Sequence, residues 1–406
     1  MHDTSLTPEA ERARRGGPQA LAAALRAARD DTLATFADVE AALPALQVPL
    51  RPELNPPLWE LGHIGWFQAW WIGRNPARAD GVDADPEVPR RPSGIDDTLY
   101  DSSRVPHDSR WSLPLPDAAA TRDALAAQLQ ETLTLLAVSG ADDRSLYFFR
   151  LALLHEDMHH EAALYMARGL DLPIEDPRWQ PRPLPEPPPP LRFEPGPWQL
   201  GRGAAAGFSF DNELEGHQVL LPAAEIDAQV VRWAEYLPFA EAGGYADARW
   251  WTAEGWRWRT ERGLEAPRFL RREGGRWQVR RFARWQPLDL REAACHLSLH
   301  EAEAWCLWAG RRLLEEAEWE RAACTRGAAF RWGDVWEWTA SPFRPYPGFR
   351  PHPYRDYSQP WFDGRPVLRG ASHLTQPRLR HARYRNFFPA GRHDVPAGLR
   401  TAARSA

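Results

Sequence analysis

The stretch LLHEDMHHEAALYMARGL, residues 153–170, is the most informative about how the first part of this chain folds. Its pattern is that of a helix, and His155 and His159 are four residues apart in it. Side chains at this spacing project from one face of a helix, one turn apart, so both imidazoles can reach a common ion. The stretch therefore predicts a helix that supplies two ligands of a metal site.

A third histidine lies in PPLWELGHIGWFQAWW, residues 56–71, which is also predicted to be helical. A bundle of helices can bring His63 of this stretch against the first helix. Three neutral imidazoles suit Fe, Zn, Cu and Ni about equally well. The histidines by themselves therefore leave the identity of the metal open.

The residues around the histidine pair are polar as well. If His159 faces the same way as His155, then His160 cannot, and we expect a structural or supporting role for it. Glu156 and Glu161 could orient ligand imidazoles, but the sequence favours solvent-exposed carboxylates for both. Taken alone, HEDMH also matches the HExxH pattern of zinc hydrolases, in which Glu156 would be the base.

The composition of the chain, and the structure that it predicts, change at a proline-rich stretch. Residues 18–170 contain Ala- and Leu-rich runs separated by Pro and Gly, which predicts several antiparallel helices. The segment PRWQPRPLPEPPPPLRFEPGP, residues 177–197, is too rich in proline for a helix or a central strand. Short glycine- and aromatic-rich segments follow, with one clear helix pattern at residues 300–312, as expected for an irregular α+β domain. The predicted parts are a helical domain at 1–176, a linker at 177–195 and an α+β domain at 196–406.

Composition excludes several classes of function. A chain of 406 residues with 43% hydrophobic and 26% charged residues should fold around two cores. The net charge is −5 and the arginines are interleaved with acids, which does not favour a nucleic-acid partner. No segment has the apolar length of a membrane span or a signal core, so we expect a cytoplasmic protein. Cys295, Cys306 and Cys324 form no CxxC pair, and the absence of lysine excludes Schiff-base chemistry.

Five segments of the second half, together with the two histidine stretches, resemble one enzyme family. The five segments are GPWQLG (196–201), FDNELEGHQV (210–219), AGRRLLEEAEWERAA (309–323), VWEWTASPF (335–343) and VLRGASHLTQ (367–376). They are similar to the formylglycine-generating-enzyme, or sulfatase-modifying factor, domain, which has a C-type-lectin-like fold. The segments PLWELGHIGWF and HEDMHHEA resemble a DinB-type four-helix domain. The combination resembles the non-haem iron sulfoxide synthases of ergothioneine biosynthesis and their selenium-using relatives, the selenoneine synthases.

Two departures from these patterns are visible. The family usually shows RLPTEAEWE where this chain has Arg312-Leu313-Leu314-Glu315-Glu316, a change that we expect to be local. Formylglycine-generating enzymes use a late pair of cysteines, and no cysteine follows Cys324. That activity is therefore not expected here.

The resemblance implies a multidomain protein with an all-α first part and an α+β second part. It implies that His63, His155 and His159 bind Fe(II). It also implies an O2-dependent oxidoreductase that joins selenium or sulfur to the imidazole carbon of hercynine, which is Nα-trimethylhistidine. The expected partners are thus small molecules, namely hercynine, a selenium or sulfur donor and O2.

Further site residues follow from the same resemblance. Tyr346 is our first choice for the family's proton-donating tyrosine, ahead of Tyr354 and Tyr357. The segment YRNFFPAGRHDVPAGLRTA, residues 384–402, resembles the part that contacts both substrates. The substrate-binding residues expected from these motifs are Asn386 for the hercynine carboxylate, its neighbours Phe387 and Phe388, Arg392 for the donor, and Arg104 and His107 at the position of an R-x-x-R pattern.

Two of these positions bear on the donor. Relatives that use γ-glutamylcysteine have an acid where this chain has Phe388, and the second arginine of their R-x-x-R pattern is His107 here. Without these charges a zwitterionic dipeptide would be poorly held. We therefore favour a selenosugar, as in selenoneine biosynthesis, over cysteine or γ-glutamylcysteine. Two other classes stay open, a non-catalytic binding module and a zinc hydrolase.

Overall fold

The computed structural model describes residues 7–203, 206–281 and 283–404, so the N-terminal hexapeptide and both outer bounds of the predicted domains lie outside the described residues. The helices are α1 (Pro8–Arg15), α2 (Pro18–Ala42), α3 (Pro57–Gln68), α4 (Asp97–Tyr100), α5 (Ala118–Ala137), α6 (Asp143–Gly169), α7 (Trp233–Glu241), α8 (Ala253–Glu261), α9 (Leu299–Ala309) and α10 (Glu316–Arg326). The strands are β1 (Leu191–Phe193), β2 (Gly196–Leu200), β3 (His217–Leu221), β4 (Ala224–Ile226), β5 (Leu270–Glu273), β6 (Arg276–Arg281), β7 (Arg284–Pro287), β8 (Arg311–Leu313), β9 (Trp336–Pro342), β10 (Pro366–Gly370), β11 (Asn386–Phe387), β12 (Ala397–Leu399) and β13 (Thr401–Ala403).

The first half is helical, as the sequence predicts. Its four long helices, α2, α3, α5 and α6, pack against one another, and α3 continues as a π-helical turn at Ala69–Gly73. Asp117 and Asp142 cap α5 and α6 by accepting hydrogen bonds from backbone amides of the first turn. Helix α6 is buried along most of its 27 residues, so it is the central element of this half. The likeness to a DinB-type domain stays a prediction.

Among its described residues, the second half contains small sheets and four α-helices. One sheet has the order β1-β4-β13-β8 and another has the order β11-β10-β9-β12, in which β9 pairs antiparallel with β10 and parallel with β12. The sequence indicated one helix here, which is α9. The prediction missed α7, which has Pro238 in its interior, and the short helices α8 and α10, whose segments are rich in tryptophan, glutamate and arginine.

The proline-rich stretch lies on the second half. Residues 180–190 form neither helix nor strand, but β1 falls inside the predicted linker and pairs with β4. The Leu184 side chain is buried, and its amide donates to the carbonyl of Arg291. The stretch therefore lacks a long helix or a central strand, and it is attached to the second half over part of its length.

Buried polar contacts join the two halves. Arg14 of α1 makes two hydrogen bonds of 2.7 and 2.9 Å to the carboxylate of Glu213, and both side chains are fully buried. Asp157 of α6 accepts two hydrogen bonds from Arg378, at 3.0 and 2.8 Å. These pairs fix how α1 and α6 lie against the second half.

The helices and the cysteines bear on the compartment and the redox state of the protein. Within the described residues, no helix is both long and apolar enough to cross a bilayer. All three cysteines are free thiols, with Cys295 and Cys306 buried and Cys324 partly exposed.

The Arg14–Glu213 pair generates a test of how the halves are held together. Replacing Glu213 by Ala leaves a buried guanidinium without its partner, which should cost about 3–5 kcal/mol. Chemical denaturation followed by tryptophan fluorescence should show a clearly lower midpoint. Glu9→Ala is the control, because Glu9 pairs with Arg12 on the surface and its loss should cost less than about 1 kcal/mol. Equal midpoints for the two variants would contradict a structural role for the buried pair.

Candidate metal centre and cleft

Three histidines from two helices converge at one point. His63 comes from the middle of α3, and His155 and His159 are one turn apart in α6. One ring nitrogen of each lies within 4.8 Å of the other two. Among the described residues, no other group of three or more His, Cys, Asp or Glu side chains is arranged in this way. The structure thus brings together the three residues that the sequence analysis singled out.

Hydrogen bonds fix which nitrogen of His63 and of His159 is free to bind a metal. The Nδ1 atom of His63 donates to the carbonyl of Tyr100 at 2.8 Å, and that of His159 donates to the Glu60 carboxylate at 2.5 Å. A hydrogen bond from Nδ1 selects the neutral tautomer whose Nε2 carries a lone pair. The ring of His155 stacks on Phe67 with 3.5 Å between centroids. In the part of the chain that the structure describes, neither His155 nitrogen has a hydrogen-bond partner.

This set of side chains fits a divalent metal ion. Burial lowers the pKa of His63 to about 3 and holds the pKa of His155 well below its usual value, so both rings are neutral at neutral pH. A buried nitrogen without a partner is costly unless a ligand binds it. A metal would bind one nitrogen of His155 and the free Nε2 atoms of its two neighbours. Neutral imidazoles of this kind serve Fe, Zn, Cu or Ni.

Glu60 is a residue that the sequence analysis missed. It lies three residues before His63 in α3, so its carboxylate is on the same side of the helix. Besides the bond from His159, it accepts one from the side-chain amide of Asn55 at 2.5 Å. An acidic residue one turn from a candidate ligand, in WELGH, was the signal that could have identified it.

The prediction that Glu156 and Glu161 are solvent-exposed is wrong. Glu156 is buried and paired with Arg29 of α2, with 2.8 Å between the closest atoms. Glu161 is buried and accepts hydrogen bonds of 2.7, 2.7 and 2.8 Å from Trp336, Ser372 and Thr375. Pattern alone suggested exposure, whereas α2 covers Glu156 and the second half of the chain covers Glu161.

His160 has a structural environment. It is buried, its Nε2 is 2.9 Å from the hydroxyl of Thr35, and its Nδ1 is 3.1 Å from the side-chain amide of Gln376. Both ring nitrogens are therefore engaged on the side of α6 away from His155, in agreement with the expected supporting role.

A cleft between the two halves opens onto His155 and His159. It encloses about 710 Å³, which is the size of a site for small molecules. Glu156 does not line it and is held by Arg29, so the base required by the zinc-hydrolase alternative does not reach this space. The residues that line the cleft are Ser102, Ser103, His107, Arg110, His155, Met158, His159, Glu161, Ala162, Tyr165, Trp336, Tyr354, Asp356, Tyr357, Pro360, Trp361, Leu379, Tyr384, Asn386, Phe387, Phe388 and Pro396.

Four of the predicted substrate-binding residues line this cleft, namely His107, Asn386, Phe387 and Phe388. Arg104 does not line it, because its side chain is 78% exposed and pairs with Asp101. Arg110 lines it instead. His107 and Arg110 are three residues apart in the 3₁₀ helix His107–Trp111, in which such side chains lie on the same side.

The three candidate tyrosines have different surroundings, and Tyr357 lines the cleft with its hydroxyl donating to that of Tyr384 at 3.1 Å. Tyr346 does not line the cleft, since it is buried with its hydroxyl donating to Glu316 at 3.1 Å and Arg385 over its ring. Tyr354 lies at the histidines, with its ring centroid 4.9 Å from that of Phe67 and 6.1 Å from that of His155. The choice of Tyr346 over Tyr354 is therefore not supported by position.

Arg392 is close to the cleft but already engaged. Its guanidinium makes two hydrogen bonds of 2.6 Å to Asp394 and lies 5.0 Å from the ring centroid of Phe388. Arg392 and Asp394 face a neighbouring cavity rather than the cleft. Phe388 thus presents an apolar ring to the cleft, and the charge behind it is neutralised by Asp394.

Known proteins are similar to this chain over most of its length. It is 33% identical to a hercynine oxygenase of Mycobacterium tuberculosis, with 95% of this chain and 99% of that protein covered. A hercynine oxygenase of Mycolicibacterium smegmatis is 32% identical, covering 95% and 98%. The formylglycine-generating enzyme of Streptomyces coelicolor is 29% identical over 36% of this chain and 50% of its own. Residues 177–334 match the family described as Sulfatase-modifying factor enzyme 1-like domain.

The histidine cluster generates a metal-binding test. Purified protein titrated with Fe(II) under anaerobic conditions should bind about one ion per chain, because the three imidazoles form one cluster. Replacing His63, His155 or His159 by Ala should abolish binding, and Glu60→Gln should weaken it roughly 10- to 100-fold, because His159 loses its charged partner. Metal content by mass spectrometry and calorimetry measures both effects.

His160→Ala is the matched control for these variants. It removes an imidazole from the same turn of α6 without touching the cluster, so the metal content should stay at that of the parent protein. Loss of the metal in this variant, or its retention after a substitution at His155, would contradict the assignment of ligands.

Proposed function

The chain belongs to the hercynine oxygenase family, and on that premise we propose that it is an O2-dependent enzyme that joins sulfur or selenium to the imidazole carbon of hercynine. The observation that carries this proposal is the convergence of His63, His155 and His159, two of which, His155 and His159, line the cleft. The convergence supplies a metal site next to a space large enough for two small substrates. A non-catalytic binding module would need neither the neutral histidine cluster nor the cleft beside it.

Fe(II) is the metal that we propose for His63, His155 and His159. When bound, it would supply the redox chemistry with O2, which the protein's own side chains cannot provide. In the overall reaction of a thiol, the sulfur loses its proton and the imidazole carbon loses its hydrogen as the new bond forms. One oxygen atom of O2 ends on sulfur and the other leaves in water, so no further reductant is needed.

The cleft offers a place for the trimethylammonium group of hercynine. Such a group has no hydrogen to donate and is held by aromatic faces and by negative charge. Trp336 and Tyr384 line the cleft with 5.6 Å between their ring centroids, next to Glu161. The three hydrogen bonds to Glu161 all end on Oε1, which leaves Oε2 for a cation. We propose that hercynine binds with its trimethylammonium group at Glu161 and its imidazole toward the metal ligands.

Tyr354 is the residue that we propose as proton donor to the reacting groups. It lines the cleft next to His155, within a ring distance of 6.1 Å. Burial raises the pKa of its hydroxyl, so it is protonated throughout the neutral range and able to donate.

The identity of the sulfur or selenium donor is a separate point from the reaction with hercynine. The relatives are named for hercynine and for oxygenation, which supports the ergothioneine-type reaction with cysteine or γ-glutamylcysteine better than the selenosugar reaction favoured from the sequence. One observation nevertheless favours a donor with little charge. Arg392 is neutralised by Asp394 behind Phe388, and Arg110 already lies on Trp59 and donates to Asn55. We therefore retain an uncharged sugar selenol or thiol as the second candidate.

Oxygen consumption tests the proposed function. Fe(II)-loaded protein should consume O2 only when hercynine and a donor are both present, because both must reach the metal. The donors to compare are cysteine, γ-glutamylcysteine, a thiosugar and a selenosugar, with an oxygen electrode and mass spectrometry of the products. Product from cysteine or γ-glutamylcysteine establishes the ergothioneine-type reaction, and product from the selenosugar alone establishes the second candidate. No uptake with any donor overturns the proposal.

A second prediction concerns the proton donor. Tyr354→Phe should lower kcat by about 100-fold or more while leaving the iron content unchanged, since a positioned general acid contributes roughly 10²–10⁴. Tyr346→Phe is the matched control. It removes a buried hydrogen bond to Glu316, so it should lower stability by about 1 kcal/mol and leave kcat nearly unchanged. Equal rates for the parent and Tyr354→Phe would remove Tyr354 from the reaction.

A further inference from the structure

A second, smaller cavity lies inside the helical half, behind the metal ligands. It is lined by α2, α3 and α6, and its walls are largely apolar side chains such as Phe36, Leu61, Ile64, Met166 and Leu172. Its volume is about 40 Å³, enough for one very small molecule. It is therefore too small for either proposed organic substrate.

The polar groups at the wall of this cavity are mostly bonded to one another. Glu60 accepts from His159 and Asn55, and the hydroxyl of Thr35 is bonded to His160. Within the described residues, the hydroxyl of Thr32 is the one polar side-chain atom of this wall that is buried without a partner. An internal water needs two to four polar partners, and apolar cavities of this kind take up xenon or small apolar molecules instead. The lining therefore favours an apolar occupant over water.

The position of the cavity relates it to the metal site. His159 is the residue, among those described, that lines both this cavity and the substrate cleft. Glu60, which holds His159, lies in the cavity wall as well. A small molecule in the cavity is therefore separated from the cleft by the His159 ring and its hydrogen bond to Glu60.

We propose that this cavity is a binding site for an apolar diatomic gas and holds dioxygen next to His159 before it enters the cleft. The proposal rests on the proposed function, because only an O2-consuming reaction gives the site a use. An apolar gas partitions from water into an apolar cavity, which raises its concentration close to the ligands. The organic substrates would fill the cleft, which shares with this cavity only His159 among the described residues, so gas and substrates need not share one entrance.

Xenon provides a test that does not depend on turnover. Crystals of the metal-loaded protein under xenon pressure should show one xenon atom enclosed by Phe36, Ile64 and Met166. Val39→Ala widens the cavity and should retain or increase the xenon occupancy. Ala163→Leu places extra methyl groups in the cavity wall and should abolish it. Absence of xenon from this cavity in both the parent protein and Val39→Ala overturns the proposal.

Kinetics then tests whether the site serves the reaction. Ala163→Leu should raise the KM for O2 roughly three- to tenfold with the KM for hercynine and the iron content unchanged, the pattern expected when only binding of one substrate is lost. Ala126→Leu on the exposed face of α5 is the matched control and should leave both KM values as in the parent. Xenon binding with no change in the KM for O2 overturns the role in O2 delivery. Failure of the proposed function would instead appear as no O2 uptake in any variant, whereas the xenon result would stand by itself.

Discussion

Burial of the polar segment from His155 to Glu161 in α6 determines how the two halves of the chain meet. Six of the seven side chains of this segment, HEDMHHE, are polar, yet five of the seven side chains are buried. Burying such groups is favourable only where each finds a partner. The partners come from every direction: Arg29 and Thr35 from α2, Glu60 from α3, and Trp336, Ser372, Gln376 and Arg378 from the second half. The helical half therefore cannot bury α6 alone, and the second half completes its polar contacts.

His155 is the residue of this segment whose ring nitrogens are left free for a metal ion. Its neighbours in the segment are bonded to protein groups, whereas its two nitrogens have no partner in the described part of the chain. Its orientation is set by stacking on Phe67 instead of by a hydrogen bond. A ring that is held by packing, and has no polar partner, can bind a metal ion through a nitrogen lone pair. The cluster combines one such ring with two whose tautomers are set by Tyr100 and Glu60.

Local spacing allowed part of this site to be predicted, and long-range packing explains what was missed. The interval of four residues was enough to place His155 and His159 on one face, and motif resemblance added His63. The sequence gives no comparable rule for the loop after β9, whose path determines that Tyr354 and not Tyr346 reaches the histidines. The partners of Glu156 and Glu161 are 127 and 175 or more residues distant along the chain, so no local pattern predicted their burial. The helical first half was predictable because its helices are long and repetitive, whereas α7, α8 and α10 are short and lie among turns.

The distribution of charge along the cleft follows from the same two-part construction. Glu161 lines the cleft and is fixed by donors of the second half, and the aromatic rings of Trp336 and Tyr384 line the cleft as well. Phe388 lines the cleft too, and the charge of Arg392 beside its ring is cancelled by Asp394. The cleft therefore presents a carboxylate at Glu161 and an apolar surface at Phe388. A substrate with a permanent cation at one end fits the first region, and a second substrate with few charges fits the other. Since an arginine bound to an aspartate two residues away can be released only at the cost of that pair, recognition of a second carboxylate would require Asp394 to move or to be replaced.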